Sequence, residues 1–492
     1  MTTSPADRSP VPAAEAAYDT VAYDVVVIGA GPAGLAAAAS ASAQGARVAL
    51  VDAAALDGGQ YWRHRAPQDG ARHHDWAEYR RLRAALDGAA AAGRLDHLAG
   101  HAVWHAEPAT DGGFTVHALC DGEAREVRGR ALVVATGAYD RQLPFPGWTL
   151  PGVFAAGAVQ ALLKGHGVAA GKRIVVAGSG PFLPPVAAGL AEAGAEVVGV
   201  FEAGRPTAFA RHPLVVARAA AKLAEGAGYL RTLRRHRVPY RMRTTVVAAL
   251  GTDADGVTGA RVARLDQQWR PVQGTERELA CDTIAVGYGF TPQAEIPVQL
   301  GCAMAMDRDG SLVAVVDERQ RSSVPGVFVA GEACGVGGAQ LALAEGELAG
   351  LRSAEASIGA RPNPRGLATL ARRRASQRAF AAVLHEAYPV RPGWQRWLAA
   401  DTVVCRCEEV TAGSIQRAVI DLGATDPRST KLSARPGMGL CQGRVCGFAT
   451  AALVAAHGGR RVTEQDLRGI AGRPIAQPVP LGVLAAGDTD EA

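Results

Sequence analysis

The stretch from Tyr23 to Asp52, YDVVVIGAGPAGLAAAASASAQGARVALVD, constrains the fold more than any other part of the chain. A β-branched run gives way to a glycine turn, an Ala-rich segment and, after Gly45, a second apolar run ending in an acid. That order predicts strand, helix, strand. Gly29, Gly31 and Gly34 fill the positions of GxGxxG. The first permits a tight turn, the second lets a pyrophosphate approach the backbone, and the third lets helix and strand pack closely. Pro32 and Ala33 open the helix, whose N-terminal N–H groups would face the phosphates. Asp52 is placed to accept hydrogen bonds from the adenosine ribose.

A second such unit spans Lys172 to Glu202, KRIVVAGSGPFLPPVAAGLAEAGAEVVGVFE. Gly178 and Gly180 match the glycine pattern and Glu202 is the terminal acid, but Leu183 holds the third glycine position and Pro184 and Pro185 follow it. A Leu there should push the helix off the strand, and prolines suit only a helix's first turn. A Rossmann domain is expected, holding NAD, ATP or no nucleotide. Ala131–Gly137 and Thr283–Phe290 read as buried strands of the first domain. The former ends in the turn Thr136–Gly137. Val327–Gly331 runs into Glu332 and a glycine-rich turn ending at Gly338, which opens an Ala/Leu helix to Gly350. A carboxylate at a strand end before a helix N-terminus suits a flavin: the acid would hold a ribityl hydroxyl, and the helix dipole would favour charge on the reduced ring.

The order of units resembles the two-dinucleotide-domain flavoprotein disulfide reductase superfamily, which implies FAD on the first glycine turn. Asp52 stands where that superfamily usually has Glu, and Glu332 where it usually has Asp; both keep a carboxylate. Neither Rossmann unit contains CxxC or CxxxxC, so the redox disulfide of thioredoxin and glutathione reductases is missing.

Met1–Ala17 lacks the basic start and apolar core of a signal peptide, which points to a cytoplasmic protein with a disordered tail over 1–20. In a reducing compartment, paired cysteines read as metal or redox sites. Cys405 and Cys407 form CxC in VVCRCEEVT; Cys441 and Cys446 form CxxxxC in GMGLCQGRVCG. Four thiolates suit a [2Fe-2S] cluster, and structural zinc or an unligated set remain alternatives. Cys120, Cys281, Cys302 and Cys334 stand singly and are expected to be small buried hydrophobes.

Asp401–Leu453 resembles the bacterioferritin-associated-ferredoxin type of [2Fe-2S] domain, which implies Cys405, Cys407, Cys441 and Cys446 as ligands. GGQYWR (58–63), TGAYDRQLPFPGWTLPGV (136–153) and GSGPFLPPVA (178–187) resemble the alpha (A) subunits of opine oxidase, hydrogen cyanide synthase and hydroxyproline dehydrogenase. That resemblance implies, as partner, a D-amino-acid-oxidase-like flavoprotein (beta) subunit, which takes hydride from a substrate C–N bond, together with a small ferredoxin-like subunit. Gly58, Gly59 and Gln60 are expected at a turn touching the flavin. FAD accepts two electrons and a cluster passes them singly, so the expected role is a two-to-one-electron adapter. No residue is assigned as general acid or base.

The expected class is α/β: two Rossmann-like domains, the second (151–280) inserted in the first (21–150 and 281–360) as in glutathione reductase. A linker (361–400), a small, mostly helical cluster domain (401–460) and a tail (461–492) follow. The net charge of +5 over 492 residues sets up no field for nucleic acid. Nine arginines between Arg205 and Arg243 read as a solvated helix face, and no segment is expected to span a membrane. The competing reading is a self-sufficient NAD(P)H oxidoreductase in which the second Rossmann unit delivers hydride.

Overall fold

The computed structural model describes residues 22–66, 70, 73–110 and 112–487. The expected disordered tail over 1–20 lies outside them. Ala22–Ile28 pairs in parallel with Val48–Asp52 on one side and with Glu123–Val134 on the other. Val25, Val26 and Val27 are fully buried, as a parallel strand covered on both faces requires. Leu95–Ala99 extends this sheet at one edge; Phe114–Cys120 and Ala102–Pro108 extend it at the other, and Val327–Val329 pairs with the end of Glu123–Val134.

Two helices lie against each other on this sheet, Pro32–Ala43 and Ala339–Ile358. A Cβ at Gly346 would come within 2.0 Å of the Ala33 carbonyl oxygen, and one at Gly350 within 2.2 Å of that of Ala37. Backbones this close leave no room for side chains, which explains the small residues on both faces.

The second sheet is parallel throughout, in the order Tyr240–Met242, Glu196–Glu202, Arg173–Gly178, Thr283–Gly287, Val153–Ala155. This corrects the assignment of Thr283–Phe290 to the first domain. Thr283–Gly287 is a central strand of the inserted sheet, held between Arg173–Gly178 and Val153–Ala155, so the boundary drawn at 281 falls too early. The chain returns to the first domain through Phe290–Pro292, which pairs antiparallel with the outgoing Ala138–Asp140. Both crossings thus lie side by side.

The segment expected as a linker is instead a helix, Pro364–Ala387, followed by a 3-10 turn, Pro392–Trp397. The expected tail also folds, as the helix Glu464–Ala471, started by a reciprocal cap between Thr463 and Asp466, and the short helix Leu481–Gly487. The cluster module is built from the helices Ala412–Ile420, Pro427–Ala434 and Gly447–His457 after the short hairpin Val403–Cys405 and Val410–Thr411. Its apolar residues share one core with the inserted domain: Ile415, Cys446 and Leu453 belong to the same buried cluster as Val175, Phe201, Trp269 and Trp394. Among the described residues no helix is long and apolar enough to cross a membrane.

Candidate flavin and iron-sulfur sites

At the first glycine turn the three glycines have different reasons to be glycine. Gly29 has φ +102°, and a Cβ on it would lie 2.5 Å from the Ala135 carbonyl oxygen. A Cβ on Gly34 would lie 1.7 Å from the Gly29 oxygen. Gly31 has an ordinary φ of −77°, and a Cβ there would meet nothing closer than Gly59 Cα at 4.0 Å. Packing therefore explains Gly29 and Gly34, while the space over Gly31 is a cradle open to a ligand, as a flavin pyrophosphate needs. Gly59 sits on that turn, since its own Cβ would come 2.8 Å from Gly31 Cα, and Gln60 beside it is exposed. One Asp52 carboxylate oxygen accepts from the Ala30 N–H, and the other accepts from the Ala54 N–H at 2.7 Å. Asp52 remains partly exposed.

The second turn has open space over Gly180 as the first has over Gly31, and differs in its acid. Gly180 has φ +125°, so its backbone alone accounts for glycine. Glu202 is fully buried, with one oxygen taken by the Gly180 N–H at 2.9 Å and the other by the Gly204 N–H at 2.8 Å. Burial pushes its carboxyl up to about 7. Gly178, at φ +139°, packs on the Gly287 carbonyl. The helix does form, over Leu183–Glu192, with Pro184 and Pro185 in its first turn, where their missing N–H groups cost nothing.

Around the expected flavin face, Thr136 Oγ1 donates to the Gln293 carbonyl at 3.0 Å and Gly137 takes φ +78°, so this turn is tied to the returning strand. Gly331 also has positive φ, +76°. Glu332 Oε1 accepts from the Gly338 N–H at 2.9 Å, just before the helix Ala339–Ile358. Behind Gly331 lies an ionic knot that the sequence did not reveal. Glu345, fully buried, accepts from the Gly331 N–H at 3.1 Å and from Arg378 Nε at 2.7 Å. Arg378 comes from the helix Pro364–Ala387 and also donates to the Gly335 carbonyl and to Cys334 Sγ. Cys281, Cys302 and Cys334 are buried as expected; Cys120 is half-exposed.

Cys405 and Cys446 are buried, Cys441 is half-buried and Cys407 is exposed. The sulfurs meet as two pairs, Cys405 with Cys446 and Cys407 with Cys441. The Cys405 thiol is pulled down by the hydrogen bond from Cys446 and by backbone N–H groups, including that of Gly437 at 3.3 Å. Among the described residues the only three ligand atoms within 4.8 Å of one another belong to Asp307, Asp309 and His385. Four cysteines brought together on one module suit the two irons of a [2Fe-2S] cluster.

The cluster loop docks directly on the first domain. Arg444, between Cys441 and Cys446, reaches the Glu295 carboxylate at 3.0 Å, which Arg473 also grips at 2.7 Å. Phe448 lies under the Arg141 guanidinium, 4.3 Å from its ring centre, and Arg141 is itself paired with Asp309 at 2.7 Å. Arg141 directly follows the strand that leaves Gly137. Glu295 and Arg473 are 178 positions apart, so no local pattern could have linked them.

Residues 23–346 match the pyridine nucleotide-disulphide oxidoreductase family, and residues 403–456 match the BFD-like [2Fe-2S] binding domain. The chain belongs to the pyridine nucleotide-disulphide oxidoreductase family. As a member of it, the chain is an oxidoreductase; the family implies FAD, and the second match implies a [2Fe-2S] cluster. The chain is 37% identical to hydrogen cyanide synthase subunit HcnB of Pseudomonas aeruginosa, over 86% of this chain and 90% of that subunit. It is 33% identical to the opine oxidase A subunit of Agrobacterium tumefaciens, over 94% of this chain and 91% of the relative. Both relatives are parts of larger enzymes. The fold is shared with L-proline dehydrogenase from P. horikoshii, with a TM-score of 0.67 at 22% identity, over 94% of this chain and 80% of that one.

Proposed function

We propose that the chain is the electron-transferring FAD and [2Fe-2S] subunit of an amino-acid, amine or opine dehydrogenase complex. It takes electrons from a D-amino-acid-oxidase-like flavoprotein subunit that oxidises the substrate C–N bond. The observation that carries this reading is the seating of the cluster loop, through Arg444 on Glu295 and Phe448 on Arg141, against strands that leave and re-enter the flavin-side turn at Thr136–Gly137. Gly29, Gly31, Gly34, Asp52, Gly59 and Gln60 would hold the dinucleotide, with Thr136, Gly137, Gly331, Glu332 and Gly338 around the ring. Bound there, FAD supplies two-electron acceptance beside a one-electron carrier. The chain's own part is to brace both sites at a fixed separation.

The burial of Glu202 disfavours hydride delivery from the second unit. Glu202, unlike the partly exposed Asp52, has no exposed surface to offer a ribose. A nucleotide there, NAD or ATP, would be structural. An anaerobic visible spectrum of the purified chain, with flavin and iron quantified, tests both points. Expected are flavin, about two irons per chain, and bleaching by dithionite but not by NADH or NADPH. Rapid bleaching by NADH would instead make the chain a self-sufficient oxidoreductase.

A further inference from the structure

Between the cluster loop and the first domain lies a cavity of about 60 Å³, lined by Tyr139, Ser311, Arg444, Phe448, Ala471 and Arg473 among others. It has room for about four waters. Its charge does not balance. Arg444 and Arg473 are each 8% exposed and share the single carboxylate of Glu295. Of the acids beyond it, Asp309 is committed to Arg141, and Asp307 faces His385 at 3.7 Å. Burial pushes the Tyr139 hydroxyl up to about 12, so it stays neutral. Arg444 also donates to the carbonyls of Cys441 and Ala476. The Arg473 guanidinium has no second acceptor among the described residues. A largely buried cation with few acceptors of its own, at the wall of a cavity, favours an anion beside it.

We propose that this cavity is an anion site for a one- or two-carbon monocarboxylate such as formate or acetate, bound by Arg473 with the hydroxyl of Tyr139 at hand. A carboxylate matches the fork of a guanidinium, and four heavy atoms match the space. A zwitterionic amino acid would bring an ammonium group against two arginines. The site is independent of which partner supplies the electrons, and its Arg444 lies in the loop that carries Cys441 and Cys446.

Isothermal titration of the holo chain with sodium acetate, sodium formate and sodium chloride, in a halide-free buffer, tests the proposal. Acetate or formate should bind once per chain. Arg473→Gln should weaken that binding by about tenfold or more. Glu295→Gln should tighten it, because the competing carboxylate is gone; a purely structural role for the bridge predicts no such opposite signs. Ala471→Leu, which fills the cavity and removes no charge, should abolish binding, and keeps the test decisive if Glu295→Gln loosens the interface. Absence of saturable binding, binding unchanged in Arg473→Gln or Ala471→Leu, or preference for chloride over both carboxylates would each overturn it.

Discussion

The indole N–H of Trp397 donates to the main-chain carbonyl of Trp269 at 3.0 Å, and the two rings stack with their planes 17° apart. Trp269 belongs to the inserted nucleotide domain and Trp397 to the segment entering the cluster module. Trp148, from before the inserted sheet, likewise donates to the Val403 carbonyl at 2.6 Å, two residues before Cys405.

The inserted domain and the cluster module should therefore unfold as one unit. Trp397→Ala should destabilise both by about 3–5 kcal/mol, as loss of a buried large aromatic does. Denaturation followed by tryptophan fluorescence and by cluster absorbance should give coincident transitions in the wild type; separated transitions would mean two independent cores.

Gly31→Ala and Gly34→Ala should fail in different ways. The first adds a methyl group to open space, so the apo chain should keep its stability while its flavin content falls. The second drives a Cβ into the Gly29 carbonyl and should cost about 3 kcal/mol before any ligand binds. Flavin per chain and apo melting temperature, measured side by side, separate the two.

Breaking the knot behind Gly331 should be severe. Glu345→Gln leaves Arg378 buried without its counter-charge, and loss of one partner of such a pair costs about 3–5 kcal/mol. The helix Pro364–Ala387 should then detach first, which amide hydrogen exchange over its residues would register.

Asp140 supplies a pH signature. It accepts from the Gly157 N–H at 3.2 Å, and burial pushes its carboxyl up to about 6. Below the unfolded value, about 4, it is protonated in both states and costs nothing. As pH rises towards 6 the unfolded chain ionises while the folded chain holds its proton, so stability falls, by at most about 3 kcal/mol, and is level above that. Asp140→Asn escapes this loss. Its stability relative to wild type should climb between pH 4 and 6, and a gap that shrinks with pH would contradict the burial effect.

What could be read in the sequence was local. The glycine turns, the terminal acids and both cysteine pairs lie within short windows whose chemistry is visible in a row of letters. Thr283–Gly287 was placed in the wrong sheet because a fully buried run looks the same in either one. Pro364–Ala387 passed for a linker because it is rich in arginine and lacks an apolar stripe; Arg374 and Arg378 anchor it on a buried carboxylate instead. Leu183 and the prolines after it suggested a spoiled helix, although the clearer sign at the second site is the burial of Glu202, which depends on residues far away in sequence.

Cys405 and Cys446 sit inside the core that the cluster module shares with the inserted domain. On the proposed reading, cluster loading would involve side chains of that shared core, with the exposed Cys407 and half-buried Cys441 as its accessible edge. A chain synthesised under iron starvation would carry an unfinished interior across two modules, and should be cleared by proteases as a whole, its first nucleotide domain included.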